Sequence, residues 1–279
     1  MTALPSTRMR STLAIISAAL AAGGCAAILG IEDQHLRPDA SANEAGGVPD
    51  ATVVDAGVSR YRSAVIEDAP VVYVRFGEGA GPTAVDEMGH IAGTYPGSGV
   101  TFGVQGALAN DPDTAVTLAG TSTIHFSQGV DFVDFAPFSL EVWVKSNGSD
   151  YGFIVDHEAY PRRGWSLFIN QKNLVFERWG ADQAHTSTVA ENALVDANWH
   201  HVVGTWDGNV HRLYVDGELA ASTAASFNAL TRIAGGWTVG GQNCECTVNF
   251  FTGGLDELAI YDHPLLPERI QAHLRAARP

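Results

Sequence analysis

Residues 199–221 read WHHVVGTWDGNVHRLYVDGELAA, and this stretch decides the fold. It holds three short runs rich in β-branched and aromatic residues: His200–Thr205, Val210–Val215 and Glu218–Ala221. Only turn chemistry separates them. Asp216-Gly217, between Leu213-Tyr214-Val215 and Glu218-Leu219-Ala220, carries the signature of a two-residue type I′ turn, which needs positive φ at both positions. Asp207-Gly208-Asn209 marks a second tight reversal. The stretch therefore reads as three successive antiparallel strands.

The same pattern continues outward in both directions. Strand signals occur at Val71–Phe76, Thr114–Leu118, Thr123–Phe126, Phe138–Lys145, Gly152–Asp156, Ser166–Ile169, Leu174–Arg178 and Gly254–Tyr261. Strands spaced by about 8–12 residues, with turn residues between them, predict an all-β sandwich. The 30 glycines fit many tight turns. One short helix closes the chain. Pro267 suits its first position, and Leu266, Ile270 and Leu274 recur at helical spacing.

Five motifs in order resemble the LamG-like jellyroll domains of the concanavalin A-like lectin/glucanase group, also called laminin G-like. Asp68–Glu78 (DAPVVYVRFGE) is similar to that family's first strand, and Thr83–Gly89 (TAVDEMG) to the segment after it. Phe138–Lys145 (FSLEVWVK) is similar to the central strand. Trp199–Val203 with Leu213–Gly217 is similar to the signature hairpin, and Phe251–Tyr261 with Pro264-Leu265 to the closing strand before the helix. The resemblance spans about Ala64 to Ala277. It implies a two-sheet antiparallel jellyroll with one concave face and a short C-terminal helix. It implies no single activity, because function resides in sites grafted on the fold.

Ahead of this domain the composition changes. Arg8 and Arg10 precede a ten-residue apolar run from Leu13 to Ala22, the form of an export signal. Leu20-Ala21-Ala22-Gly23-Gly24-Cys25 resembles a bacterial lipobox, which implies lipidation of Cys25 and an exported, envelope-anchored product. Residues 26–60 are rich in Ala, Asp, Gly, Pro and Ser and read as a disordered tether. The expected organisation is a signal at 1–25, a tether at 26–60 and one domain at 61–279.

Charge narrows the partners. With 16 Lys+Arg against 31 Asp+Glu the net charge is −15, which repels nucleic acid. No membrane contact is expected beyond the lipid anchor. The two remaining cysteines, Cys244 and Cys246, leave a strained disulfide and free thiols both open.

Catalytic patterns are scarce. Neither H-E-x-x-H nor G-x-S-x-G is present. His200 and His201 are strand neighbours and point to opposite faces. His157, His185 and His211 show no pairing. Glycoside hydrolysis needs two carboxylates about 5–10 Å apart. The central strand offers Glu141 with Trp143 and Lys145 at i+2 and i+4, and Asp131 and Asp134 are offset by three. The resemblance implies a structural Ca²⁺ held by Asp256 of the closing Asp-Glu pair, with Asp86 from an early loop. Sugar rings stack on aromatic faces. Tyr160, Trp165 and Trp179 are the candidates for this, beside Arg162, Arg163, Arg178, Asp182 and Gln183. Trp143, Trp199 and Trp206 are expected in the core. The expected function is a non-catalytic surface binding module for carbohydrate or a surface protein. The alternatives are a glucanase-type glycoside hydrolase and an adhesion component of the cell envelope without a small ligand.

Overall fold

The computed structural model describes residues 59–128, 130, 136–146, 148, 150–159, 163–180, 184–225, 235–243 and 249–279, with backbone alone for Ala159 and Arg163. The signal segment, almost all of the tether, Cys25, Cys244 and Cys246 lie outside the described residues, as do Asp131, Asp134, Tyr160, Arg162, Asp182 and Gln183.

The chain opens with α1 (Arg60–Glu67), β1 (Val72–Val74), β2 (Thr83–Val85), β3 (Ala92–Thr94), β4 (Val100–Gln105) and β5 (Thr114–Ala119). Then come β6 (Ile124–Phe126), β7 (Phe138–Ser146), β8 (Tyr151–Ala159), β9 (Arg163–Asn170), β10 (Asn173–Trp179) and β11 (His185–Ala190). The chain closes with β12 (Trp199–Trp206), β13 (Val210–Val215), β14 (Glu218–Ala224), β15 (Trp237–Val239), β16 (Thr252–Tyr261) and α2 (Pro267–Ala277). Among the described residues these strands form two eight-stranded sheets with antiparallel pairing. The first runs β14-β13-β12-β7-β16-β5-β4, with β1 also on β16. The second runs β11-β10-β9-β8-β15-β6-β3-β2.

The opening stretch folds as its turn residues require. β12 pairs β13, and β13 pairs β14. Asp216 (φ 50) and Gly217 (φ 79) both occupy the left-handed region that a type I′ turn demands. A Cβ on Gly217 would lie 2.7 Å from Gln271 and 2.9 Å from Leu274 of α2, so the turn is also held close beneath that helix.

The sequence pattern does not disclose a third layer. On β7, Phe138, Leu140, Val142 and Val144 enter the core between the sheets. Trp143 points the other way and joins a second cluster with Tyr61 and Val65 of α1 and Ile270, Leu274 and Ala277 of α2. β7 is therefore buried along almost its whole length on both faces. Trp206 is in the core between the sheets as expected, whereas Trp143 and the partly buried Trp199 belong to this helix-covered layer. α1 is absent from the sequence reading. It has eight residues and buries only Tyr61 and Val65, too little periodicity to stand out from the tether composition beside it. Ser59 caps it by accepting from Arg62 N at 3.2 Å. The short strands β2, β3 and β15 and the six-residue, largely polar or Gly-interrupted β4 and β11 are also absent from the strand signals. No helix among the described residues is long and apolar enough to cross a membrane.

Candidate functional site

The site grows from the alternation of β8, β9 and β10. Their inward side chains, including Trp165, Leu167 and Phe176, fill the core. The outward ones form two unlike halves. Phe153, Phe168 and Val175 make a small apolar cluster, with Phe153 and Phe168 stacked at 4.9 Å. Next to it lies a polar row. Asp156 pairs across to Ser166, Ser166 to Glu177, and Glu177 to Ser187. One step further, Glu158 faces Gly164, which faces Trp179, which faces His185.

Three carboxylates thus share one surface. The side chains of Asp156, Glu158 and Glu177 are buried there at 0%, 7% and 7% exposure. Ser166 Oγ donates to Glu158 Oε1 at 3.2 Å. The segment after β15 crosses the row: Asn243 N donates to Asp156 Oδ2 at 2.6 Å, and its side-chain amide donates to Glu158 O and Gly236 O. At the end of the row the partly exposed Trp179 ring stacks on His185 at 4.2 Å with a 22° tilt. Sequence reasoning missed the acidic row because it sought paired carboxylates on the central strand. The available signal is Asp156-His157-Glu158, since i, i+2 spacing in a strand places both carboxylates on one face.

The expected ligand residues divide. Trp179 lies on the outer face, and its strand partner Gly164 directly follows Arg163, whose backbone pairs with Ala159 at the end of the β8–β9 hairpin. Trp165 is corrected: it is 1% exposed, on the core side, against Phe138 and His157 at 5.5 Å each, so its ring is closed to a ligand. Arg178 is corrected for the same reason. It is 1% exposed, with its guanidinium 4.8 Å over the Trp206 ring, and burial pulls its pKa down to about 10. His211, also between the sheets, is pulled down to about 3 by burial, with the Arg178 charge adding to the effect.

Glu141, the lone carboxylate of the central strand, is sealed under the helices rather than open to a substrate. Its Oε1 accepts from Tyr61 OH at 2.8 Å and His201 Nε2 at 2.6 Å, and its Oε2 from Tyr261 OH at 2.6 Å. His273 Nδ1 lies 3.0 Å from both oxygens. The other nitrogen of His273 faces Ala64 O at 3.1 Å and Asp68 Oδ2 at 2.9 Å, so both ring nitrogens meet acceptors and both carry protons. Burial pushes Glu141 upward, but the His273 charge and the hydrogen bonds from His201 and His273 outweigh it, and the carboxyl titrates well below its usual range. His200 points away from His201, as strand geometry demands, and sits 2.8 Å from both Asp196 and Asp216.

Asp86 and Asp256, which the resemblance implies as calcium ligands, both accept from backbone N–H groups. Asp86 spends its carboxylate on four backbone groups, accepting from Tyr73 N, Met88 N, His90 N and Ile91 N. Asp256 Oδ2 accepts from Ala107 N at 2.8 Å. The Arg75 guanidinium, paired with Glu257, Asp111 and Asp113, also acts on Asp256 through its charge. Among the described residues no group of three or more His, Cys, Asp or Glu is arranged to hold a metal. Asp86 and Asp256 do not fit a shared ion.

A family model described as the concanavalin A-like lectin/glucanases superfamily matches residues 118–271. The chain belongs to this superfamily. No curated protein matches it by sequence. Solved structures similar to this superfamily member include the binding domain of botulinum neurotoxin serotype G, with TM-score 0.58 and 13% identity, over 74% of this chain and 50% of that one. The binding domain of Paraclostridial Mosquitocidal Protein 1 has TM-score 0.61 and 16% identity, over 75% and 52%. The ligand binding domain of botulinum neurotoxin serotype D, in complex with N-acetylneuraminic acid, has TM-score 0.59 and 16% identity, over 76% and 52%. The chain spans about half the length of each. At these identities the likeness establishes the two-sheet jellyroll and nothing finer.

Proposed function

We propose that this domain is a non-catalytic binding module that takes a carbohydrate at the Trp179 end of the β8–β11 outer face. One observation carries the reading: a partly exposed indole, stacked on His185, stands at the end of the β8–β11 outer face, beyond the nearly closed Glu158 and Glu177. An aromatic face takes the apolar CH side of a sugar ring, and neighbouring polar groups take its hydroxyls. The serotype D domain, about half of which this chain matches, is solved in complex with N-acetylneuraminic acid, and this prompts the sugar reading. The test is a glycan array with neutral and sialylated oligosaccharides, followed by calorimetry on the hits. Binding that disappears in a folded Trp179→Ala is expected. Equal binding by the variant, or no hit on any glycan together with capture of an envelope protein, overturns the sugar reading.

A glycoside hydrolase is the second reading, favoured by the three carboxylates on one face. Release of reducing sugar from a polysaccharide, abolished by Glu177→Gln, would establish it. The sequence further supports export and lipid anchoring at Cys25. Fatty-acid labelling lost in Cys25→Ser is the expected result.

A further inference from the structure

Arg75 follows β1 and projects among acidic groups from two other segments. Its Nη2 lies 2.6 Å from Glu257 Oε1 and 3.1 Å from Asp111 Oδ2. Its Nε lies 2.9 Å from Glu257 Oε1 and 3.1 Å from Asp113 Oδ2. The second Glu257 oxygen accepts from Tyr73 OH. Asp256 precedes Glu257 on β16, and both are buried because the strand breaks register between Asp256 and Ala259, with Glu257 at φ 52. Asp256 is 2% exposed, and its Oδ1 has no hydrogen-bond partner among the described residues.

One positive charge therefore pairs with three carboxyl groups and acts on the fourth, Asp256, only through space. The guanidinium donates to Glu257 and Asp111, while Asp113 Oδ2 and Asp256 Oδ1 receive no hydrogen bond from it. A divalent cation prefers six to eight oxygen ligands and more negative charge.

We propose that Arg75 is the resident cation of this domain, holding Asp111, Asp113, Asp256 and Glu257 together without a metal, and that its removal turns the cluster into a calcium site. The carboxylates would then close in by about the width of the guanidinium. The proposal is independent of any sugar bound on the other sheet.

The experiment compares melting of the wild type and Arg75→Ser in EDTA and in millimolar calcium, with magnesium as a control and calcium calorimetry alongside. The wild type should melt at one temperature in all three. Arg75→Ser should melt lower in EDTA, recover in calcium, and bind one calcium ion, since a ligand held only by the native state raises stability. Arg75→Lys should remain indifferent to calcium. Should Arg75→Ser fail to fold in EDTA, folding recovered by calcium during refolding supports the proposal, and no recovery in either buffer overturns it. A calcium-stabilised wild type, or a folded Arg75→Ser that ignores calcium, overturns it too. The double variant Arg75→Ser/Asp256→Asn should lose the calcium response.

Discussion

Replacing Glu141 with Gln removes one negative charge from a place water does not reach. The side chain keeps its size, so packing is barely altered. What changes is the match to four donors: the hydroxyls of Tyr61 and Tyr261, His201 Nε2 and His273 Nδ1. The amide oxygen still accepts, but the new NH₂ group faces donors. The His273 imidazolium keeps one counter-ion, Asp68 at 2.9 Å. Removing one partner of a buried ion pair costs about 3–5 kcal/mol. For a domain of this size that corresponds to a fall in Tm of about 6–20 °C. The assay is thermal melting by circular dichroism across pH. The folded Glu141 pKa is depressed, so its contribution is present above the unfolded value and is lost as pH falls through the folded one. Variant and wild type should therefore converge in strong acid. The folded His273 pKa is raised: burial alone would lower it, but the Glu141 charge and hydrogen bond more than compensate. Its contribution is present below its unfolded value and fades as pH rises through the folded one, and in Glu141→Gln that fading should begin at lower pH. A variant that melts with the wild type at neutral pH would refute an ionised, fully bonded Glu141 as the tie between β7 and the two helices.

Three further expectations concern other parts of the fold. Gly217→Ala forces a side chain into φ 79 and toward Gln271 and Leu274; a loss of about 1–2 kcal/mol is expected, and an unchanged denaturation midpoint would contradict the tight turn. The hydrogen bond to Asp216, with Asp196 adding to it, raises His200 to about 9. Its stabilisation is complete below about 6.5 and lost as pH climbs through about 9, so His200→Asn should narrow its gap from wild type across that window, while parallel Tm curves would exclude the effect. Trp165→Ala should cost about 3–5 kcal/mol as a core truncation, whereas Trp179→Ala, at a partly exposed ring, should cost clearly less. Similar losses in both would mean that the two rings are equally buried.

The sequence alone was enough for the sandwich. Asp216-Gly217 admits few backbone conformations, and strands such as Val210–Val215 announce themselves locally, so the hairpin is legible from neighbours in the chain. The closing helix was legible for the same reason, through Pro267 and the spacing of Leu266, Ile270 and Leu274. Tertiary structure decided which face each side chain serves. Trp165 and Trp179 look alike as strand aromatics, yet the register of β9 and β10 sends one into the core and the other to the surface. Asp256 looks like a metal ligand until Arg75, 181 positions earlier, is seen to supply the nearby charge. Glu141 looks like a lone acid until Tyr61 and His273, from the two ends of the domain, close over it. Turn chemistry and alternation act over a few residues, so sequence displays them. Burial and charge pairing act through space between distant residues, and they exist only once the strands have been laid side by side.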